Sequence, residues 1–196
     1  QELNELTEEF VQAVQTVFPG CCIHFEDWKG TDAIRHLDRY KDKVLCYNDD
    51  IQGTASVALA GIASAMNITG ANLAEQRVLF YGAGSAGIGI GKLICAELRD
   101  LGLSEEQARS RIAYMDINGL IETSRQDLTP QQQQFALNAR PTRDLVQVIE
   151  DFKPTILFGV STSAGAFTQS VVEKMSEINP RPVIFALSNP TSKVEC

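Results

Sequence analysis

Histidine and tryptophan are scarce in this chain: two and one in 196 residues. Basic residues are also short, 17 against 25 acids, for a net charge of −8. That balance excludes a nucleic-acid partner, because neutralising phosphates takes Lys and Arg. No long uncharged apolar run stands out, so no transmembrane helix and no membrane partner are expected. The opening "QELNELTEEF" is acidic and lacks the pattern of a signal peptide. The five cysteines (21, 22, 46, 95 and 196) have no metal-ligand spacing, which argues against zinc. They read as reduced, buried small side chains of a cytoplasmic protein.

The chain has enough length and apolar content (44%) for one large domain with its own core. Hydrophobic periodicity alternates between two kinds of segment. Helical spacing covers Leu6–Phe18, 32–42, 51–68, 85–102, 141–152 and 168–178. Short apolar runs suited to strands cover 21–26, 43–47, 76–82, 110–116, 154–160 and 181–187. Such alternation predicts an α/β fold, a doubly wound and mostly parallel sheet covered on both faces. Ser104 and Gln107 have capping-box spacing. The Gln-rich stretch 126–141 reads as polar surface.

"VLFYGAGSAGIGIG" places Gly82-x-Gly84-x-x-Gly87 between a strand and a helix. In that context the first glycine permits a tight turn and the second lets a pyrophosphate approach the backbone. The third lets helix and strand pack closely. Ser85 opens the helix, whose free N–H groups face an anion. The next strand ends at Asp116, 29 residues beyond Gly87. The pattern expects an acid about 20 residues on, and the insertion "DLGLSEEQARS" supplies the excess. An acid there can hold ribose hydroxyls, so a Rossmann-type domain is predicted.

Two further strands end on paired acids, Glu26-Asp27 and Asp49-Asp50. Ligands of open α/β sheets bind at that edge. Converging carboxylates without a His or Cys pattern suit Mg²⁺ or Mn²⁺; a solvated acidic loop is the other reading. His24 and His36 fall mid-strand and mid-helix and read as structural, with Trp28 as a packing anchor.

"FEDW", "YNDDIQGTASVALAGI", "FYGAGSAGIGI" and "RPVIFALSNPTSKVEC" resemble the malic enzymes, in order and across the whole chain. The resemblance implies a single NAD(P)-binding domain over 1–196, cut from a longer protein at both ends, with 1–50 supplying metal-binding acids at its edge. It implies Glu26, Asp27 and Asp50 as ligands of Mg²⁺ or Mn²⁺. Asp49 would support metal and substrate, and Asn189 would contact the substrate carboxylate; these two are the candidates at the reacting centre. Gly82, Gly84, Ser85, Gly87 and Asp116 would hold the dinucleotide, with Ser161 near the nicotinamide. The implied reaction converts malate to pyruvate and CO₂ with reduction of NAD or NADP, in a homo-oligomer. The family's catalytic Tyr and Lys belong to motifs absent from these residues, so the segment alone is expected to be inactive. Arg125 is the only cation between Ile117 and Ala139, which favours NAD. Malolactic enzymes share these motifs, and a non-catalytic dinucleotide-binding module is a further alternative.

Overall fold

The computed structural model describes residues 2–196. Its elements are α1 (Glu2–Val17), β1 (Ile23–Phe25), α2 (Gly30–Tyr40), β2 (Cys46–Asn48), α3 (Thr54–Thr69), β3 (Val78–Tyr81) and α4 (Ser85–Asp100). There follow α5 (Glu105–Ser110), β4 (Ile112–Asp116), β5 (Gly119–Leu120), α6 (Pro130–Gln133), α7 (Leu145–Phe152), β6 (Ile156–Gly159), α8 (Gln169–Ile178) and β7 (Val183–Ala186). The main sheet has the order β5-β4-β3-β6-β7 and is parallel except for the short edge strand β5.

Alternate residues of each strand feed two cores. Val78, Phe80, Ile112, Tyr114, Ile156 and Phe158 meet the apolar sides of α3 and α4. Leu79, Ala113, Met115 and Leu157 meet α7 and α8. Burial on both faces explains why these strands are continuously apolar rather than alternating. In-register pairing also stacks Tyr114, Phe80, Phe158 and Phe185 across four strands, with ring centroids 4.7, 5.0 and 4.8 Å apart. The doubly wound, mostly parallel sheet expected from the periodicity is therefore present.

The first 50 residues depart from a single continuous sheet. β1 and β2 form a separate two-stranded parallel sheet. Its small core joins Val11, Ile23, Phe25 and Tyr40. His36 lies in this core, 1% exposed, against the rings of Trp28, Phe25 and Tyr40. It is structural, as its mid-helix position predicts, and Trp28 is the expected anchor. The cysteines need correction: all five are free, but only Cys95 is buried, while Cys21, Cys22 and Cys196 are exposed. Cys21 and Cys22 follow the Pro19-Gly20 turn, which offers no apolar surface to cover them.

Local chemistry sets the boundaries. Asp144 accepts hydrogen bonds from the N–H groups of Val146 and Gln147, so α7 starts later than its apolar pattern. The capping box of Ser104 and Gln107 forms, and a second, between Thr129 and Gln132, folds a helical turn within the Gln-rich stretch. Against the expectation that no such run exists, the 21-residue helical run from Asp49 to Thr69 is long and apolar enough, by length and composition, to cross a bilayer. One side of it, through Ala55, Ala58, Ile62 and Met66, packs in the main core.

Candidate functional site: a dinucleotide cleft beside an acidic rim

β4 and β6 lie on opposite sides of β3, so a crevice opens at the carboxyl end of β3 where the winding reverses. Ligands of open α/β sheets bind at such a switch point. The glycine turn occupies it. Gly82 has φ +123°, and a Cβ there would collide with the Val160 carbonyl. Only glycine meets both demands. A Cβ at Gly84 would meet nothing within 4 Å, so its outer side is open for a ligand. A Cβ at Gly87 would lie 2.6 Å from the Gly82 carbonyl oxygen, so this glycine lets α4 close onto β3. Ser85 is the first residue of α4, a 16-residue helix whose N-terminus carries free donors and a partial positive charge.

A cavity of about 610 Å³ spreads from this turn. One wing reaches Asp116 and Ile117 at the end of β4; the other reaches Ser161, Thr162 and Ser163 after β6. Asp116 is held rather than free. Arg125 donates to both its carboxylate oxygens, at 2.8 and 2.9 Å, and the Asn118 N–H donates at 2.8 Å. Arg125 also donates twice to Asp127. Those bonds hold the Asp127 carboxyl down at about 2, and Asp127 and Asp116 together raise the guanidinium above its usual range. Arg125 is thus spent on its own acids. Arg143 is the one cation that lines the cavity among the described residues. Sequence reasoning missed it because its window of cations closed at Ala139; Arg143 reaches the site from the loop before α7.

Ser161 sits on the second wing, with both its N–H and its hydroxyl bound to Glu195. Asn189 is exposed in the turn after β7, following the buried Ser188.

The acidic rim is built by register. Phe25 pairs with Asn48, so Glu26-Asp27 and Asp49-Asp50 leave their parallel strands side by side. Asp27 turns through φ +59°, and its N–H donates to Asp50 Oδ2 at 2.9 Å. Asn48 Oδ1 accepts from the Ile51 N–H, while the buried Asn48 Nδ2 has no partner. Among the described residues, the group of three whose ligand atoms lie within 4.8 Å of one another is His24, Glu26 and Asp49. It shares Glu26 with the expected set and draws in Asp49 and His24 in place of Asp27 and Asp50. His24 Nε2 lies 3.2 Å from Glu26 Oε2, and the ring stacks on Tyr47. Period-2 alternation carried this signal: His24 is the outward residue between buried Ile23 and Phe25. The rim adjoins the glycine turn, since a Cβ at Gly30 would lie 3.3 Å from Ser85 Oγ. Carboxylate oxygens dominate, and that donor chemistry fits Mg²⁺ or Mn²⁺.

The family model described as "Malic enzyme, NAD binding domain" matches residues 51–196. The chain belongs to the malic enzyme family. It is 45% identical over its whole length to the NADP-dependent malic enzyme of Columba livia, covering 35% of that protein. Identity is also 45% to the mitochondrial NAD-dependent malic enzyme of Ascaris suum, covering 31% of it. The chain therefore spans about a third of the length of these curated relatives. Its fold matches the Entamoeba histolytica malic enzyme with a TM-score of 0.75 and 25% identity, over 94% of this chain and 37% of that one. The NAD-dependent malic enzyme of Thermotoga maritima matches with a TM-score of 0.70 and 26% identity, over 95% and 47%. The malic enzyme resemblance and the Rossmann-type fold read from the sequence are thus shown.

Proposed function

We propose that this chain is the dinucleotide- and metal-binding portion of an enzyme that oxidatively decarboxylates malate to pyruvate and CO₂, with NAD as the electron acceptor. The glycine turn at the switch point of the sheet, opening into a cavity bounded by Asp116 and Ser161, carries this reading. The pyrophosphate would lie over Gly84 and the N-terminus of α4, with the adenosine ribose toward Asp116 and the nicotinamide toward Ser161. By the family resemblance Glu26, Asp27 and Asp50 would hold Mg²⁺ or Mn²⁺, although the ligand atoms within 4.8 Å of one another belong to His24, Glu26 and Asp49. Asp49 would support metal and substrate, and Asn189 would bind the malate carboxylate. A bound divalent cation would supply Lewis-acid polarisation of malate's oxygens. The reading gives no Tyr or Lys of this chain a proton-transfer role, so these residues alone are expected to turn over malate negligibly.

NAD is preferred because Arg125, the only cation between Ile117 and Ala139, is held by Asp116 and Asp127 and so is not free for a 2′-phosphate. Arg143 is the side chain that would oppose this preference. Calorimetric titration with NAD and NADP, each with and without Mn²⁺, tests the reading. Saturable binding with NAD the tighter ligand is expected, and absence of binding by either nucleotide would refute it. Malate assays on the intact natural protein separate the products: pyruvate with NADH supports the reading, whereas lactate without net NADH assigns the malolactic reaction. Binding without turnover assigns a non-catalytic module.

A further inference from the structure

Glu195 is 0% exposed, and nothing in the dinucleotide reading uses it. It reaches the end of β6, where a Cβ at Gly159 would lie 2.6 Å from its carboxylate. Removing a carboxylate from water is costly unless hydrogen bonds replace the lost hydration. Here they do. Oε1 accepts from the Ser161 N–H at 2.8 Å, the Ser161 hydroxyl at 2.8 Å and the Ser188 hydroxyl at 2.5 Å. The Ser188 N–H reaches Oε2 at 3.4 Å. Burial pushes the acid up, but the bonds from Ser188 and Ser161 outweigh it, and the carboxyl is held below its usual range.

These bonds join two loops distant in sequence. One follows β6 and lines the cavity with Ser161, Thr162 and Ser163. The other follows β7 and carries Ser188 and Asn189. They also touch directly, because the Thr162 N–H donates to Ser188 Oγ at 2.8 Å while Thr162 holds φ +58°. The backbone beside Glu195 extends the clamp: the Gly165 N–H donates to the Val194 carbonyl and the Phe167 N–H to the Glu195 carbonyl. A positive φ at Thr162 persists only when its surroundings impose it, and this network supplies the constraint.

We infer that Glu195 is a positioning residue, whose buried carboxylate fixes the Ser161–Ser163 loop against the Ser188–Asn189 turn and so shapes the wing of the cavity opposite Asp116. This rests on the dinucleotide reading above. Glu195 makes no hydrogen bond to the Asp116 wing or to the glycine turn, which follow β4 and β3, although Gly82 packs against Val160 beside the clamped loop. Glu195 therefore governs one half of the ligand selectively.

NADH and ADP distinguish the two halves, since ADP carries the adenosine and diphosphate and lacks the nicotinamide. In Glu195→Gln, four donors lose a charged acceptor, and NADH affinity is expected to fall at least ~10-fold, as charge-assisted bonds are about twice as strong as neutral ones. ADP affinity should stay within about twofold, because its contacts lie on β3 and β4. Ser188→Ala removes two bonds, its own to Glu195 and the one it accepts from the Thr162 N–H, and keeps the carboxylate on Ser161, so it serves if the first variant does not fold; a selective loss of about threefold or more is expected. Equal losses for NADH and ADP, or none in a folded variant, would overturn the inference and leave the dinucleotide reading intact. Wild-type protein that binds neither nucleotide would overturn that reading, and the inference with it.

Discussion

Replacing Gly84 by alanine should separate ligand binding from folding. Gly84 has φ −82° and ψ −170°, an extended conformation open to any residue, and its added Cβ would meet nothing. Two small effects on stability then oppose each other. Losing glycine's freedom in the unfolded chain stabilises by about 0.4–1 kcal/mol. Alanine is a poorer helix N-cap than glycine, which costs about as much. The net change should stay within about 1 kcal/mol, or a Tm shift below ~4 °C for a domain of this size. Binding should respond quite differently. The methyl group would fill the space through which a pyrophosphate approaches the α4 N-terminus. Loss of one charge-assisted bond there costs about 1.5–3 kcal/mol, or roughly 10- to 100-fold in Kd. Calorimetric titration with NADH and thermal unfolding by circular dichroism read the two effects separately. Gly82→Ala is the contrast, since its Cβ collides with backbone at φ +123° and should lower Tm outright. A Gly84→Ala protein that binds NADH as tightly as the wild type would refute the placement of the ligand.

Three further outcomes are expected. Phe158→Ala opens the middle of the ring stack and should cost about 3–5 kcal/mol in urea unfolding. His36 has no hydrogen-bond partner for either ring nitrogen, and burial, aided by Arg35 and Arg39 and opposed by Asp32, lowers its pKa below 6.5. The unfolded chain then takes up the proton first, so the stability His36 contributes is complete above pH 6.5 and lost as pH falls towards the folded value. His36→Phe should flatten the fall in urea midpoint between pH 7.5 and pH 5.5 by about one histidine's worth. The Asp127 carboxyl should titrate at about 2 by carboxyl-carbon NMR, and Arg125→Gln should return it towards its ordinary 3.8.

The sequence was most legible where one physical demand selects one residue type. Gly82 is forced by a positive φ and a backbone collision, and the same turn marks the strand, the helix and the crevice together. The long apolar strands were legible because both faces of the main sheet are covered. The small β1–β2 sheet was not, since three-residue strands look alike wherever they pair. Partner choice was hidden too. Asp116 reads as a free ribose ligand, yet Arg125, nine residues on, holds both its oxygens. Nothing in the sequence marks Glu195, and only the return of the chain against Gly159 shows it buried. His24 was set aside by its mid-strand position, although its outward alternation places it beside Glu26 and Asp49.

Amide chemical-shift mapping during an NADH titration tests the central claim most directly. The account predicts that the largest shifts fall on Gly82–Gly87, then on the amides around Asp116 and on Ser161–Ser163, and that they saturate together. Shifts confined to other surfaces, or no shift in the glycine turn at saturating NADH, would contradict it.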